Sequence, residues 1–143
     1  RRVRAIGLSN FLVPHLQELT KVAKVLPAVN QIELTPFLQR AATVALCREL
    51  GLAREAYRPL TRGQRLSHPV VVALASELAR SPAQVMLRWG IQRGFVVLPK
   101  SVHPERIEEN AALFDFALDD AAMQRLDALE EGLVTGWNPE TQT

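Results

Sequence analysis

Cysteine is nearly missing: Cys47 is the single one in 143 residues. An internal disulfide framework is therefore excluded. His15, His68 and His103 stand apart, with neither H-E-x-x-H spacing nor cysteine partners, so the chain offers no zinc-site pattern. Neither charge sign prevails: Lys and Arg number 17 against 15 Asp and Glu and are scattered along the chain, which argues against a nucleic-acid footprint. No apolar run approaches the roughly 18 residues a membrane-spanning helix needs. The opening "RRVRAIGLSNF" lacks the long apolar core and small-residue cleavage site of a secretory signal. A reducing, cytoplasmic setting is the expectation. Glycine-rich phosphate loops are missing as well: neither G-x-G-x-x-G nor G-x-x-x-x-G-K-[ST] occurs, so any nucleotide must be held by another device.

What is present is the balance of a globular domain, 48% apolar and 22% charged. Four β-like runs, "VRAIGL", "AVNQIEL", "LAREAY" and "FVVLP", alternate with stretches of helical periodicity. That is the rhythm of βα units on a parallel sheet, an α/β fold. Pro14 and the spacing of Leu16, Leu19, Val22 and Ala23 predict a helix over 14–25, ended before Pro27. Ala42, Ala45, Leu46 and Leu50 predict another over 40–50, with Gly51 as its stop. Two consecutive helices are expected between Pro69 and "FVVLP", the second opened by the "SPAQ" capping pattern at 81–84. Further helices should begin at Pro104 and after Asp119, before the tail "GLVTGWNPETQT" loses regularity. No linker, low-complexity segment or close sequence repeat divides the chain, so residues 1–143 read as one unit. Cys47 and Trp89 read as core, and Trp137, between Gly136 and Asn138, as an aromatic at a site mouth.

In βα folds, ligands gather where strands end and helices begin, because helix N-termini offer unpaired N–H groups there. The strand ends carry Ser9 and Asn10, then Gln31 and Glu33, then Tyr57 and Arg58, then Lys100 and Ser101. Ser9, Asn10 and Gln31 offer the donors and acceptors that orient a carboxamide, and Tyr57 a flat face for a heteroaromatic ring, a set suited to nicotinamide. The plainer alternative makes Ser9 and Asn10 caps of the first helix and Tyr57 a core residue. In "LPKSVHPERIEEN", residues 98–110, Lys100 and Ser101 precede a helix start, and Arg106, Glu109 and Asn110 share one face of that helix. Such a cluster would hold a phosphate monoester, with Glu109 and Asn110 near an adenine amino group: an adenosine phosphate. The plainer alternative is a solvated helix start with a surface Arg106–Glu109 pair.

At these residues the sequence resembles the aldo-keto reductases, in their bacterial diketogluconate-reductase-like branch. The likeness runs through "RAIGLSNF", "VNQIELTPFLQ", "EAYRPLTRG", "SPAQVMLRW" and the highly specific "LPKSVHPERIEENAALFDF". It implies a (β/α)8 TIM barrel of which this chain is the C-terminal half, βα units five to eight. It also implies extended NADPH binding without a Rossmann motif, and reduction of aldehydes or ketones by hydride transfer. Carried over by position, Ser9, Asn10 and Gln31 hold the carboxamide, Tyr57 stacks on nicotinamide, and Leu60 lies beside the pyrophosphate. Lys100, Ser101 and Arg106 then grip the 2′-phosphate, with Glu109 and Asn110 at the adenine.

Two positions depart from the family's pattern: Arg58 replaces a usual serine and either pairs with the pyrophosphate or crowds it, and Thr35 replaces a usual histidine. The family's catalytic Asp, Tyr, Lys and His belong to its first four strands, so no catalytic residue is expected in this chain. The resemblance implies a parent enzyme acting on a small aldehyde or ketone. The alternatives are a truncated or pseudoenzyme module that binds nucleotide or self-associates, and a different barrel enzyme using the phosphate site for a phosphorylated substrate. Ser9, Asn10 and Gln31 speak against the last. A half-barrel has free strand edges, so self-association or pairing with an N-terminal half is expected.

Overall fold

The computed structural model describes residues 3–139 and 141. The expected end of the irregular tail, at 140, 142 and 143, lies outside the described residues, as do the two leading arginines. The order is β1 (Gly7–Ser9), α1 (Val13–Val22), β2 (Val29–Glu33), α2 (Ala41–Glu49), β3 (Ala53–Tyr57), α3 (Pro69–Glu77), α4 (Pro82–Gln92), β4 (Val96–Leu98), α5 (Pro104–Ala111) and α6 (Asp120–Asp127), with a 3-10 turn at Thr61–Gly63. The four strands pair in parallel and in chain order. Sequential parallel neighbours joined by helical crossovers are how a segment of a (β/α) barrel wall is built.

Local chemistry accounts for most boundaries. Ser81 Oγ accepts from Gln84 N at 3.2 Å while Gln84 Oε1 accepts from Ser81 N at 3.0 Å, the reciprocal cap that starts α4. Asp119 Oδ1 accepts from Ala122 N at 2.7 Å and starts α6. Gly51, at φ 72°, provides the left-handed exit after α2. The first helix is shorter than its periodicity predicts, ending at Val22, with Ala23 already extended. Val22, Val25 and Leu26 are exposed, so no buried face draws the helix on to 25. Strand β1 is likewise shorter than "VRAIGL", because its neighbour β2 starts at Val29, opposite Gly7.

One face of the sheet is packed. Ile32 and Ala56 join Phe37, Leu74, Met86, Trp89 and Leu126 in the main core, and Leu16, Cys47 and Leu52 form a smaller cluster under α1 and α2. The opposite face follows from the two-residue pleat and the strand register: Gly7 and Ser9, then Val29, Gln31 and Glu33, then Ala53, Glu55 and Tyr57, then Val96 and Leu98. Apart from Glu33, which is buried, this face is largely uncovered among the described residues, with Val96 and Leu98 51% and 39% exposed. Parallel sheets are ordinarily buried on both sides.

The tail returns across the sheet's C-terminal end. Glu131 N and Leu133 N both donate to the Phe37 carbonyl, at 3.3 and 3.0 Å. Thr135 donates to Glu33 Oε1 through its backbone N–H at 3.1 Å and through its hydroxyl. Among the described residues, no single helix is long and apolar enough to cross a membrane, and no group of three or more metal-ligating side chains occurs.

Candidate cofactor site

The site grows from the C-terminal ends of the strands. Asn10 and Arg58, each just past a strand, have φ of 59° and 51°, a left-handed kink that turns the chain out of the sheet. Asn tolerates that conformation; Arg58 holds it at a cost of about 1–2 kcal/mol. Thr61 and Arg62 share it (φ 51° and 54°), so backbone strain is concentrated in the β3–α3 loop.

On the open face, Ser9, Gln31 and Glu55 lie side by side in register. Gln31 Nε2 donates to Glu55 Oε2 at 2.7 Å. Asn10 N donates to the Gln31 carbonyl at 2.9 Å, placing the two amide residues together. The Tyr57 hydroxyl donates to Asn10 Oδ1 at 2.9 Å. Burial raises the Tyr57 pKa, the Glu33 carboxylate raises it further, and the Asn10 hydrogen bond and the charges of Arg58 and Arg40 only partly oppose them. The phenol therefore keeps its proton.

The plainer reading of Ser9 and Asn10 as helix caps does not hold. The Leu12 N–H that opens α1 is bound by His15 Nδ1 at 3.0 Å. Nor is Tyr57 a core residue; it is half-buried on the uncovered face.

Beside this rim lies a cleft of about 820 Å³. Arg58, Leu60, Lys100, Ser101, Arg106, Glu109 and Asn110 all line it, so the structure gathers the whole second set of candidates, with Arg62 as a further cation. Ser9, Asn10, Gln31 and Tyr57 are outside the cleft lining, and the two groups join through the consecutive residues Tyr57 and Arg58. Among the described residues, the side chains of Lys100 and Arg106 make no ion pair or hydrogen bond. The surface Arg106–Glu109 pair is not formed: Glu109 Oε1 accepts from Ser81 Oγ at 2.5 Å instead. Ser101 Oγ accepts from His103 N at 3.1 Å and shapes the entry to α5. Asn110 is buried behind it.

Arg58 sits with its guanidinium carbon 5.8 Å from the Tyr57 ring centroid. It also fills the space beside Gly136, where a Cβ would fall 1.4 Å from Nη1. The arrangement offers Lys100 and Arg106 without counter-charges, the Ser101 hydroxyl, the start of α5, apolar Leu60 and Leu98 in the cleft lining, and amide groups at the rim beside it. That donor set fits a doubly charged phosphate at one end and a planar carboxamide-bearing ring at the other.

Residues 2–131 match the Aldo/keto reductase family. The chain belongs to that family. It is similar to the glyoxal reductase of Bacillus subtilis, 44% identical over 139 residues that cover 97% of this chain and 50% of the relative. Among solved structures it superposes on a Gox0644 variant in complex with NADPH with a TM-score of 0.93 at 39% identity, covering 99% of this chain and 53% of that one. It also superposes on the aldo-keto reductase AKR2E5 of the silkworm, Bombyx mori, complexed with NADPH, with a TM-score of 0.85 at 34% identity, covering 93% and 44%. The chain thus spans about half the length of the relatives it matches. The parallel sheet and α/β fold read from the sequence are those of these aldo-keto reductases.

Three contacts escaped the sequence reading. Glu55 binds Gln31, Glu33 ties down the tail, and Ser81 engages Glu109. Each of these residues lies inside a quoted motif, but only strand register or helix packing brings it to its partner.

Proposed function

We propose that this chain is the C-terminal, cofactor-binding half of an NADPH-dependent aldo-keto reductase acting on a small aldehyde or ketone in a reducing, cytoplasmic setting. The observation that carries this reading is the cleft where Lys100 and Arg106 stand without counter-charges beside Ser101 at the α5 entry. Lys100 and Arg106 supply charge to the 2′-phosphate, and the Ser101 hydroxyl and the Glu105 N–H in the first turn of α5 supply hydrogen bonds. Leu60 and Arg58 flank the pyrophosphate. Glu109 and Asn110 border the adenine, with one oxygen of Glu109 already held by Ser81. Ser9, Asn10 and Gln31 hold the carboxamide against the Tyr57 ring. When bound, NADPH supplies the hydride that reduces the carbonyl carbon.

The chain's own residues bind and orient; they do not protonate. Tyr57 is its single tyrosine, and that hydroxyl is committed to Asn10. The proton donor belongs to the half of the barrel this chain does not span. The largely uncovered sheet face, with Val96 and Leu98 exposed and the outer edges of β1 and β4 unpaired among the described residues, supports pairing with such a half. The same face supports a second reading, a module that binds nucleotide and self-associates without catalysis.

The experiment measures the solution mass of the purified 143-residue chain, its NADPH affinity, and NADPH oxidation with a panel of aldehydes and ketones. Each is measured alone and with a separately produced N-terminal half of a relative. The expected result is NADPH binding without turnover alone, and turnover once the halves combine. Turnover by a monomer alone would refute the division of labour. Binding without turnover in the mixture would favour the non-catalytic module.

A further inference from the structure

Glu55 has no role in the scheme above, yet it touches the rim. A side-chain amide has a donor end and an acceptor end, and its neighbours decide which faces outward. Glu55 Oε2 takes Gln31 Nε2 at 2.7 Å, and a carboxylate accepts without donating, so the nitrogen of Gln31 must face Glu55. Its Oε1 is left outward, and no described residue donates to it. Next to it, the Tyr57 hydroxyl donates to Asn10 Oδ1, which turns Asn10 Nδ2 outward, again without a partner among the described residues. The backbone bond from Asn10 N to the Gln31 carbonyl keeps the two side chains adjacent. The rim therefore shows one acceptor beside one donor.

We propose that Glu55 is a positioning and specificity-determining residue: by fixing the orientation of the Gln31 amide, it makes the rim select a pyridine carboxamide over the corresponding carboxylate. A primary carboxamide brings its NH2 to Gln31 Oε1 and its C=O to Asn10 Nδ2. A carboxylate in the same place meets Gln31 Oε1 lone pair to lone pair. Ser9, whose hydroxyl rotates to donate or accept, adds affinity without choosing. This inference rests on the assignment of Ser9, Asn10 and Gln31 to the nicotinamide end.

The test titrates the 143-residue chain with three probes: NADP⁺, its carboxylate counterpart nicotinic acid adenine dinucleotide phosphate, and adenosine 2′,5′-bisphosphate, which reaches only the phosphate cleft. The wild-type chain should prefer the carboxamide dinucleotide by about tenfold, one well-oriented hydrogen bond's worth. Isosteric Glu55→Gln, which can donate to Gln31 and let its amide turn over, should reduce that preference to about threefold or less, with bisphosphate affinity unchanged. If Glu55→Gln also loses the bisphosphate through misfolding, Glu55→Leu, which leaves the Gln31 amide unanchored, is judged by the same ratio.

A preference that survives both substitutions, or a wild-type chain indifferent to the two dinucleotides, overturns the role of Glu55. Bisphosphate binding with no gain from either nicotinic ring also overturns it and leaves the phosphate cleft standing. Failure of all three probes removes the cofactor assignment itself.

Discussion

Replacing Arg106 by alanine separates a phosphate grip from a solvated helix face. Arg106 is exposed and has no ion pair or hydrogen bond through its side chain among the described residues, so its removal leaves no internal partner unsatisfied. Stability should change by less than about 0.5 kcal/mol. The cofactor is where the loss should appear. A hydrogen bond to a charged group contributes about 1.5–3 kcal/mol, which corresponds to roughly tenfold to a hundredfold weaker NADPH binding. Lys100 and the α5 N-terminus remain, and solvent screens an exposed guanidinium, which places the expected loss near tenfold at physiological salt and higher at low salt.

NADH lacks the 2′-phosphate and should lose about threefold or less. Fluorescence titration of both cofactors at two ionic strengths, beside a thermal melt, gives each quantity. Equal losses for NADPH and NADH would refute the 2′-phosphate assignment, and so would an NADPH loss that does not depend on salt.

Other expectations follow from contacts outside that grip. Arg58→Ser removes the guanidinium from the pyrophosphate wall and should weaken NADPH binding more at low than at high salt; tighter binding would mean that Arg58 obstructs the cleft. Asp127→Ala deprives the nearly buried Trp89 indole of the acceptor it holds at 2.8 Å and Arg93 of its partner, which should cost about 1–3 kcal/mol by urea unfolding. Burial works to raise the Asp127 pKa, but hydrogen bonds from Arg93 and Trp89 and the Arg93 charge outweigh it and lower the value. Its stabilisation is thus complete above the ordinary carboxyl range and disappears as pH falls through the lowered value, a slope that Asp127→Asn should flatten. Thr135→Val removes a hydroxyl donor from buried Glu33, whose Oε2 already lacks a partner among the described residues, and should cost about 1–3 kcal/mol, with Thr135→Ser restoring it.

The parts of this molecule that were readable in its sequence are those set by neighbours a few residues away. Ser81 and Gln84 cap α4 because a capping box needs only a three-residue spacing. Gly51 ends α2 because one residue must take a left-handed conformation there. The parallel α/β class followed from short β-like runs alternating with stretches of helical periodicity. Where the extent of an element depended on a distant partner, sequence overran: β1 reaches only as far as β2 pairs with it.

The candidate site divides along the same line. Lys100, Ser101, Arg106, Glu109 and Asn110 are close in sequence and share the cleft. Glu55 meets Gln31 across 24 positions of chain, through a strand register that no local pattern encodes. The fate of Glu109 was hidden in the same way, since its partner Ser81 is presented by another helix.

The tail's attachment has a kinetic corollary. Thr135 and Glu33 are 102 positions apart, whereas neighbouring strands such as β1 and β2 close over about a fifth of that length. Loop-closure entropy rises as about (3/2)RT ln n, so joining the tail costs roughly 1.4 kcal/mol more than closing one βα unit. Contacts of such long range form after the local units have assembled. The tail should therefore dock last during folding and detach first under stress. In hydrogen–deuterium exchange, the amides of Leu133 and Thr135 should lose protection well before those of β2 and β3, and a protease should release the segment after α6 while the sheet is still intact.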